Sequence, residues 1–147
     1  MTSKLELQDA LQEAIRQNDT LRKNTLRMAL TSIRMAEDRK RDQLDEDEII
    51  GVLQKELKSL QETAADAQQA GRPELAEQAH AQIEILEEYL PQQMTQEELE
   101  ELARQAIEQV GAESPREMGQ VMKVLVPKLK GRATGEEASL VVRRLLQ

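Results

Sequence analysis

The segment VMKVLVPKLKGRATGEEASLVVRRLL, residues 121–146, gathers Lys123, Lys128, Lys130, Arg132, Arg143 and Arg144 in a chain of formal net charge −8. Lysine and arginine hold phosphate oxygens by charge-assisted hydrogen bonds. Gly131 lies among them in the turn KGRATG, just before a helix start. Backbone N–H groups at such a start add to the same chemistry. With Met118 at zero on a helical projection, Met118, Val121, Met122, Leu125 and Leu129 fall between about 300° and 40°, and Lys123 and Lys130 near about 140° and 120°. The two lysines thus share a face opposite the apolar stripe. Pro127 also points away from it and must break one backbone hydrogen bond. In the last helix Ala138, Val141, Val142, Leu145 and Leu146 form the core side, with Arg143 and Arg144 elsewhere. Glu136 and Glu137 oppose anion binding here, because they already complement that helix dipole. On the residues alone, a solvated face with a Gly-capped turn stands beside the phosphate-binding reading.

A second set of cations lies nearer the N-terminus. With Arg22 at zero, Lys23, Arg27, Arg34 and Arg41 fall between about 100° and 140°. Leu26, Ala29, Leu30, Ile33 and Ala36 occupy the neighbouring core sector. These long side chains either flank the core and pair with acidic neighbours or form a ridge that tracks phosphates.

Other chemistries find few residues to carry them. The chain has no Cys and one His, so metal sites and cofactor sites have no obvious ligands. His80 falls at the edge of a stripe formed by Leu75, Ala79, Ile83, Leu86 and Leu90, which reads as a surface histidine. Ser3 and Ser114 read as helix caps, and Ser32, Ser59 and Ser139 lie within helices. None has the base or strained elbow that a nucleophile needs. No Gly-Lys-Ser/Thr phosphate loop is present. We identify no catalytic residue, no metal ligand and no cofactor site. A single aromatic residue, Tyr89, disfavours reading single-stranded bases by stacking. Backbone and shape recognition of a folded RNA is the expected mode.

Helices must position these cations. Leu, Ala, Glu, Gln, Lys and Arg dominate, and aromatics make up 1%, which predicts an all-α chain. Helix starts are marked by Ser3 with Glu6, Asp45 with Glu48, Thr95 with Glu98, Ser114 before Pro115, and Thr134 with Glu137. Gly71 and Gly111 suit left-handed caps, and Pro91 bars continuation. Seven helices are expected, at about 4–17, 20–41, 46–70, 73–90, 96–110, 115–130 and 135–146. Ile49, Leu53, Leu57, Leu60, Ala64 and Ala67 form a core stripe in the third. Leu99, Leu102, Ala103, Ala106, Ile107 and Val110 do so in the fifth. PQQM, residues 91–94, is the expected linker between an N-terminal four-helix part (1–90) and a C-terminal three-helix bundle (95–147).

Charge is uneven. Residues 91–115 hold six Glu and one Arg, whereas 116–147 hold seven basic and three acidic residues, and 16–41 hold eight basic and three acidic. Such local patches can steer a polyanion even in an acidic chain. The N-terminal MTSKLELQDALQ reads as an amphipathic helix start and not as a signal peptide. No run approaches the length of a membrane span. A soluble, cytoplasmic protein with no membrane partner is expected.

RKNTLRMALTSIRMAE, LQKELKSLQETAADAQQAGRPELAEQAHAQIEILEEYLPQQMTQEELE and MGQVMKVLVPKLKGRATG resemble the YqeY family. That family is similar to the tail of the GatB subunit of glutamine-dependent aspartyl/glutamyl-tRNA amidotransferase. The resemblance implies a four-helix part followed by a three-helix, tail-like part. It also implies tRNA as partner, with amidotransferase or aminoacyl-tRNA synthetase components as possible companions. The family label of carbon–nitrogen ligase with glutamine as amide donor comes with it, although no residue here displays that chemistry. Carried over, the tRNA-facing positions are Lys123, Lys130, Gly131 and Arg132. The family commonly has an acidic residue where Thr134 stands, and often Asn where Ser139 stands. A helical adaptor that binds another protein is the alternative.

Overall fold

The computed structural model describes residues 2–147. Among them every regular element is helical: α1 (Lys4–Arg16), α2 (Thr20–Lys40), α3 (Glu46–Gln69), α4 (Pro73–Glu87), α5 (Gln96–Val110), α6 (Met118–Leu129) and α7 (Gly135–Leu146), with a single 3-10 turn (Pro115–Glu117) ahead of α6. The chain divides into two compact units, Met1–Leu90 and Pro91–Gln147.

Local chemistry accounts for the helix starts. Ser3, Asp45 and Thr95 each accept from the N–H three residues on, and Glu6, Glu48 and Glu98 reach back to the cap N–H. Each reciprocal pair satisfies two backbone donors that the first turn leaves orphaned. Thr134 caps α7 by accepting from Glu137 N–H at 3.0 Å. Ser114 departs from expectation, since its side chain makes no cap hydrogen bond. The carboxylate of Glu117 instead accepts from Glu113 N–H, and the chain enters α6 through the 3-10 turn. The fourth helix also ends earlier than 90. Glu88, Tyr89 and Leu90 donate to carbonyls three residues back, a tightened turn ahead of Pro91, which disfavours helical geometry in the residue before it.

Two helix ends are unusual. α5 is capped by Gly111, and Gly71 follows the Ala70 cap of α3, both glycines having positive φ, where glycine is unstrained. α2 and α6 stop at Arg41 (φ 62) and Lys130 (φ 51), also left-handed but not glycine. Lys130 therefore lies beyond α6, and its expected helical alignment with Lys123 does not apply.

In the first unit, α3 and α4 are joined by a short turn and pack side by side, α1 packs on α2, and α2 contacts both α3 and α4. Leu7, Leu26, Ile33, Leu53 and Leu86 are fully buried at the centre. Ala64, Ala67, Ala76 and Ala79 are buried outside that central cluster, nearer the α3–α4 turn. Leu75, expected on the core stripe, is 45% exposed. It sits in the first turn of α4, where α3 alone is at hand to cover it. His80 is exposed as expected.

Glu37 ties three segments of this unit together. Its carboxylate accepts from Lys4 Nζ at 2.7 Å and from Leu44 N–H at 3.2 Å. The Lys4 hydrogen bond, then the Leu44 N–H, hold it below the usual carboxylate range. A depressed folded-state value means that the unfolded chain takes up the proton first as pH falls. The stabilisation is complete above the ordinary glutamate range and lost as pH drops through the folded value. The urea midpoint of the first unit should therefore fall as pH is lowered below about 4. Glu37→Gln should lower the midpoint at neutral pH and show a shallower acid decline. An identical acid decline in the variant would refute the assignment to Glu37.

Candidate nucleic-acid interface

The three helices of the second unit contact one another pairwise. Leu99, Val121, Leu125, Leu129, Val142 and Leu146 are buried between them. This packing turns the polar faces of α6 and α7 outward. Lys123, Lys128, Lys130, Arg143 and Arg144 are all exposed, and Gly131 and Arg132 are half-buried.

The seven positions do not share one environment. Arg132 donates from Nε to the Gln92 carbonyl at 2.7 Å and from Nη2 to Glu98 at 3.1 Å. Around it, Met94 N–H donates to the Arg132 carbonyl at 2.8 Å and the Gln93 amide to the Gly131 carbonyl at 3.1 Å. The segment 91–94 is thus stitched to the turn after α6, and Ala133 is buried behind it. Arg144 pairs with Glu100 on α5. Lys128 reaches Gln109, also on α5, at 3.3 Å. Lys123, Lys130 and Arg143 make no side-chain hydrogen bond or ion pair among the described residues.

Arg132 consequently has a structural duty that its place in KGRATG did not reveal. Arg132→Ala should cost about 1–2 kcal/mol in urea unfolding, as expected for charge-assisted bonds at a part-exposed site. Arg132→Lys should recover only part of that loss, because a lysine cannot span both acceptors with a rigid fork. Full stability in Arg132→Ala would show that the stitch contributes nothing.

The second patch sits on α2 for Lys23, Arg27 and Arg34, whereas Arg41 is the left-handed C-cap beyond it and, like Lys130, leaves the expected helical stripe. Lys23 is half-buried and Arg27, Arg34 and Arg41 are exposed. None makes a side-chain hydrogen bond or ion pair among the described residues. By contrast Arg22, one residue before Lys23, pairs with Glu88 at 2.8 Å and with Asp19 at 3.4 Å. The Glu88 hydrogen bond holds Arg22 above its ordinary value, against the opposing effect of burial.

Sequence reasoning passed over Arg39 and Lys55. With Gly51 they line a groove between α2 and α3. A lone glycine inside an amphipathic helix was the available signal. Among the described residues no group of three or more His, Cys, Asp or Glu is placed to hold a metal ion, and no helix is long and apolar enough to cross a membrane.

The chain is 29% identical over 133 residues to altered inheritance of mitochondria protein 41, mitochondrial, from Pyrenophora tritici-repentis (strain Pt-1C-BFP). The match covers 89% of this chain and 73% of that protein. The family model described as Yqey-like protein matches residues 4–146. With nearly its whole length matched, the chain belongs to the YqeY-like family, as the resemblance led us to expect.

Proposed function

We propose that this protein is a tRNA-binding module without a catalytic centre of its own, related to the tail of glutamine-dependent aminoacyl-tRNA amidotransferases. Any link to carbon–nitrogen ligation with glutamine as amide donor then runs through a companion enzyme, an amidotransferase or aminoacyl-tRNA synthetase component. The cytoplasmic location read from the sequence belongs to the same proposal.

One observation carries it. Acidic residues outnumber basic ones 28 to 20, yet Lys123, Lys130 and Arg143 in the second unit, Lys23, Arg27 and Arg34 on α2, and Arg41 at its C-cap, have no salt-bridge partner among the described residues. Cations left unpaired amid excess carboxylate are available to phosphate. The near absence of aromatic side chains favours contact with the backbone of a folded RNA over stacking on single-stranded bases.

The test is binding of bulk tRNA to the full chain, followed by fluorescence anisotropy at two salt concentrations. Binding that weakens steeply with salt is expected. No binding at low salt, or binding indifferent to salt, refutes the proposal.

A further inference from the structure

A groove of about 580 Å³ runs between α2 and α3. Its apolar lining is Met35, Ala36, Leu44, Gly51 and Val52. Its charged lining is Arg39, Lys40 and Lys55 with Glu48 and Glu56. Both acids are already engaged: Glu48 with Lys40 at 2.6 Å and Glu56 as acceptor from the Ser32 hydroxyl. The Lys40–Glu48 hydrogen bond raises the lysine and lowers the carboxyl, so each keeps the other charged. Arg39 and Lys55 make no side-chain hydrogen bond or ion pair among the described residues. With Glu48 balanced by Lys40, Arg39 and Lys55 outweigh Glu56, so the groove carries a net positive charge beside an apolar lining.

Gly51 is the second observation. It lies inside α3 without a positive φ, and a Cβ placed on it meets nothing within 4 Å. Neither the backbone nor a neighbour requires glycine there, although glycine in a helix interior is less favourable than alanine. What the missing side chain does provide is room, at the groove's apolar lining, for another chain to come close. Met35 is 54% exposed beside it. Methionine's flexible, polarizable side chain suits contact with a peptide that must be accommodated.

We propose that this groove docks an acidic amphipathic helix of a protein partner, with its apolar side chains against Gly51 and Met35 and its flanking carboxylates on Arg39 and Lys55. A helix fits because both walls are helices around an apolar lining, the setting of helix-in-groove docking, and neither offers a free strand edge for strand addition. RNA fits less well, since Met35, Ala36, Leu44 and Val52 give the groove an apolar lining that complements the apolar face of a helix and offers nothing to a phosphate backbone. With Arg22 at zero, Met35 and Arg39 fall near about 220° and 260° on α2, far from the cationic stripe at about 100–140°. The groove is thus a surface separate from the tRNA contacts proposed on α2 itself, Lys23, Arg27 and Arg34, and its occupancy is independent of theirs.

The experiment uses the full chain carrying 13C-methyl methionine. The probe is a synthetic amphipathic helix with Leu at i, i+3, i+4 and i+7 and Glu on its flanks, and the control has those Glu replaced by Lys. The Met35 methyl resonance should move with the acidic probe while Met118 and Met122 stay fixed. Affinity should fall about tenfold or more in the Arg39→Glu, Lys55→Glu double variant. Gly51→Leu should block the probe as well, and an undiminished melting temperature in that variant would separate blocking from misfolding. Three results overturn the proposal: no movement of Met35 at millimolar acidic probe, equal binding of the Lys-flanked control, or tRNA that shifts Met35 and is released by the double variant.

Discussion

Leu125→Ala should unfold the Pro91–Gln147 unit under conditions where the unsubstituted unit is folded. Ala103, Ala106, Ala133 and Ala138 are all buried in the second unit's core, so its larger side chains carry most of the apolar burial. Among its larger side chains only Leu125, Val121 and Val142 are fully buried, and Leu125 is the largest of these. Alanine at that position removes the apolar transfer energy and leaves a cavity whose walls are held by three mutually packed helices. Such substitutions cost about 2–5 kcal/mol. A domain of this size has roughly 3–8 kcal/mol of stability in total, so the loss takes most of it. In a two-dimensional amide NMR spectrum, the resonances of residues 95–147 should collapse towards random-coil positions. The matched control is Leu140→Ala, because Leu140 is 59% exposed on the neighbouring helix. It should change stability by less than about 0.5 kcal/mol. A Leu125→Ala protein within about 1 kcal/mol of the unsubstituted chain would show that this core is not what holds the unit together.

That core was readable in advance because it rests on periodicity. Val121, Leu125 and Leu129 recur at helical spacing, and so do Ala138, Val141 and Val142. Three reciprocal caps were readable for a similar reason, since each needs only two residues three apart. The cap of α2 was not: Asp19 accepts from Arg22 N–H at 3.1 Å, but Arg22 stands where the reciprocal motif places Glu or Gln, so only half of the signature exists. The left-handed ends at Arg41 and Lys130 were hidden for a different reason. Local sequence favours glycine or asparagine at such positions, and here the next element draws the chain away regardless. Lys130 is followed by Gly131, also left-handed at φ 76, and the two together reverse the chain to bring Arg132 onto Gln92.

The candidate interface divides along the same line. Exposure of Lys123 and Arg143 follows from where they fall on their helices. Engagement of Arg132 and Arg144 does not, because their partners Glu98 and Glu100 lie 34 and 44 residues away in the chain. Pairing across such separations is decided by how α5 packs against α7 and the preceding turn. Basic residues close together in KGRATG and VVRR thus divide into those that hold the unit together and those left facing solvent.

Replacing Lys123, Lys130 and Arg143 together by alanine should therefore weaken tRNA binding without unfolding the protein. All three are exposed and outside the core, so the melting temperature should stay nearly unchanged, in contrast to Arg132→Ala. Each phosphate contact contributes about 0.7–0.9 to the fall of log affinity with log salt, depending on whether the strand is single or duplex. Loss of three contacts should flatten that slope by about 2–3. Between about 50 and 200 mM salt the unsubstituted protein would then lose roughly 30-fold more affinity than the triple variant. The reduction should be similar across tRNA species, because phosphate contacts carry no base information. The parallel variant, with Lys23, Arg27, Arg34 and Arg41 replaced by alanine, decides which unit is responsible. If the α2 variant flattens the slope and the triple variant does not, the RNA surface lies on the first unit and the tail-like reading of the second fails. If neither variant changes the slope, the unpaired cations are a solvated surface, and tRNA binding is not what they serve.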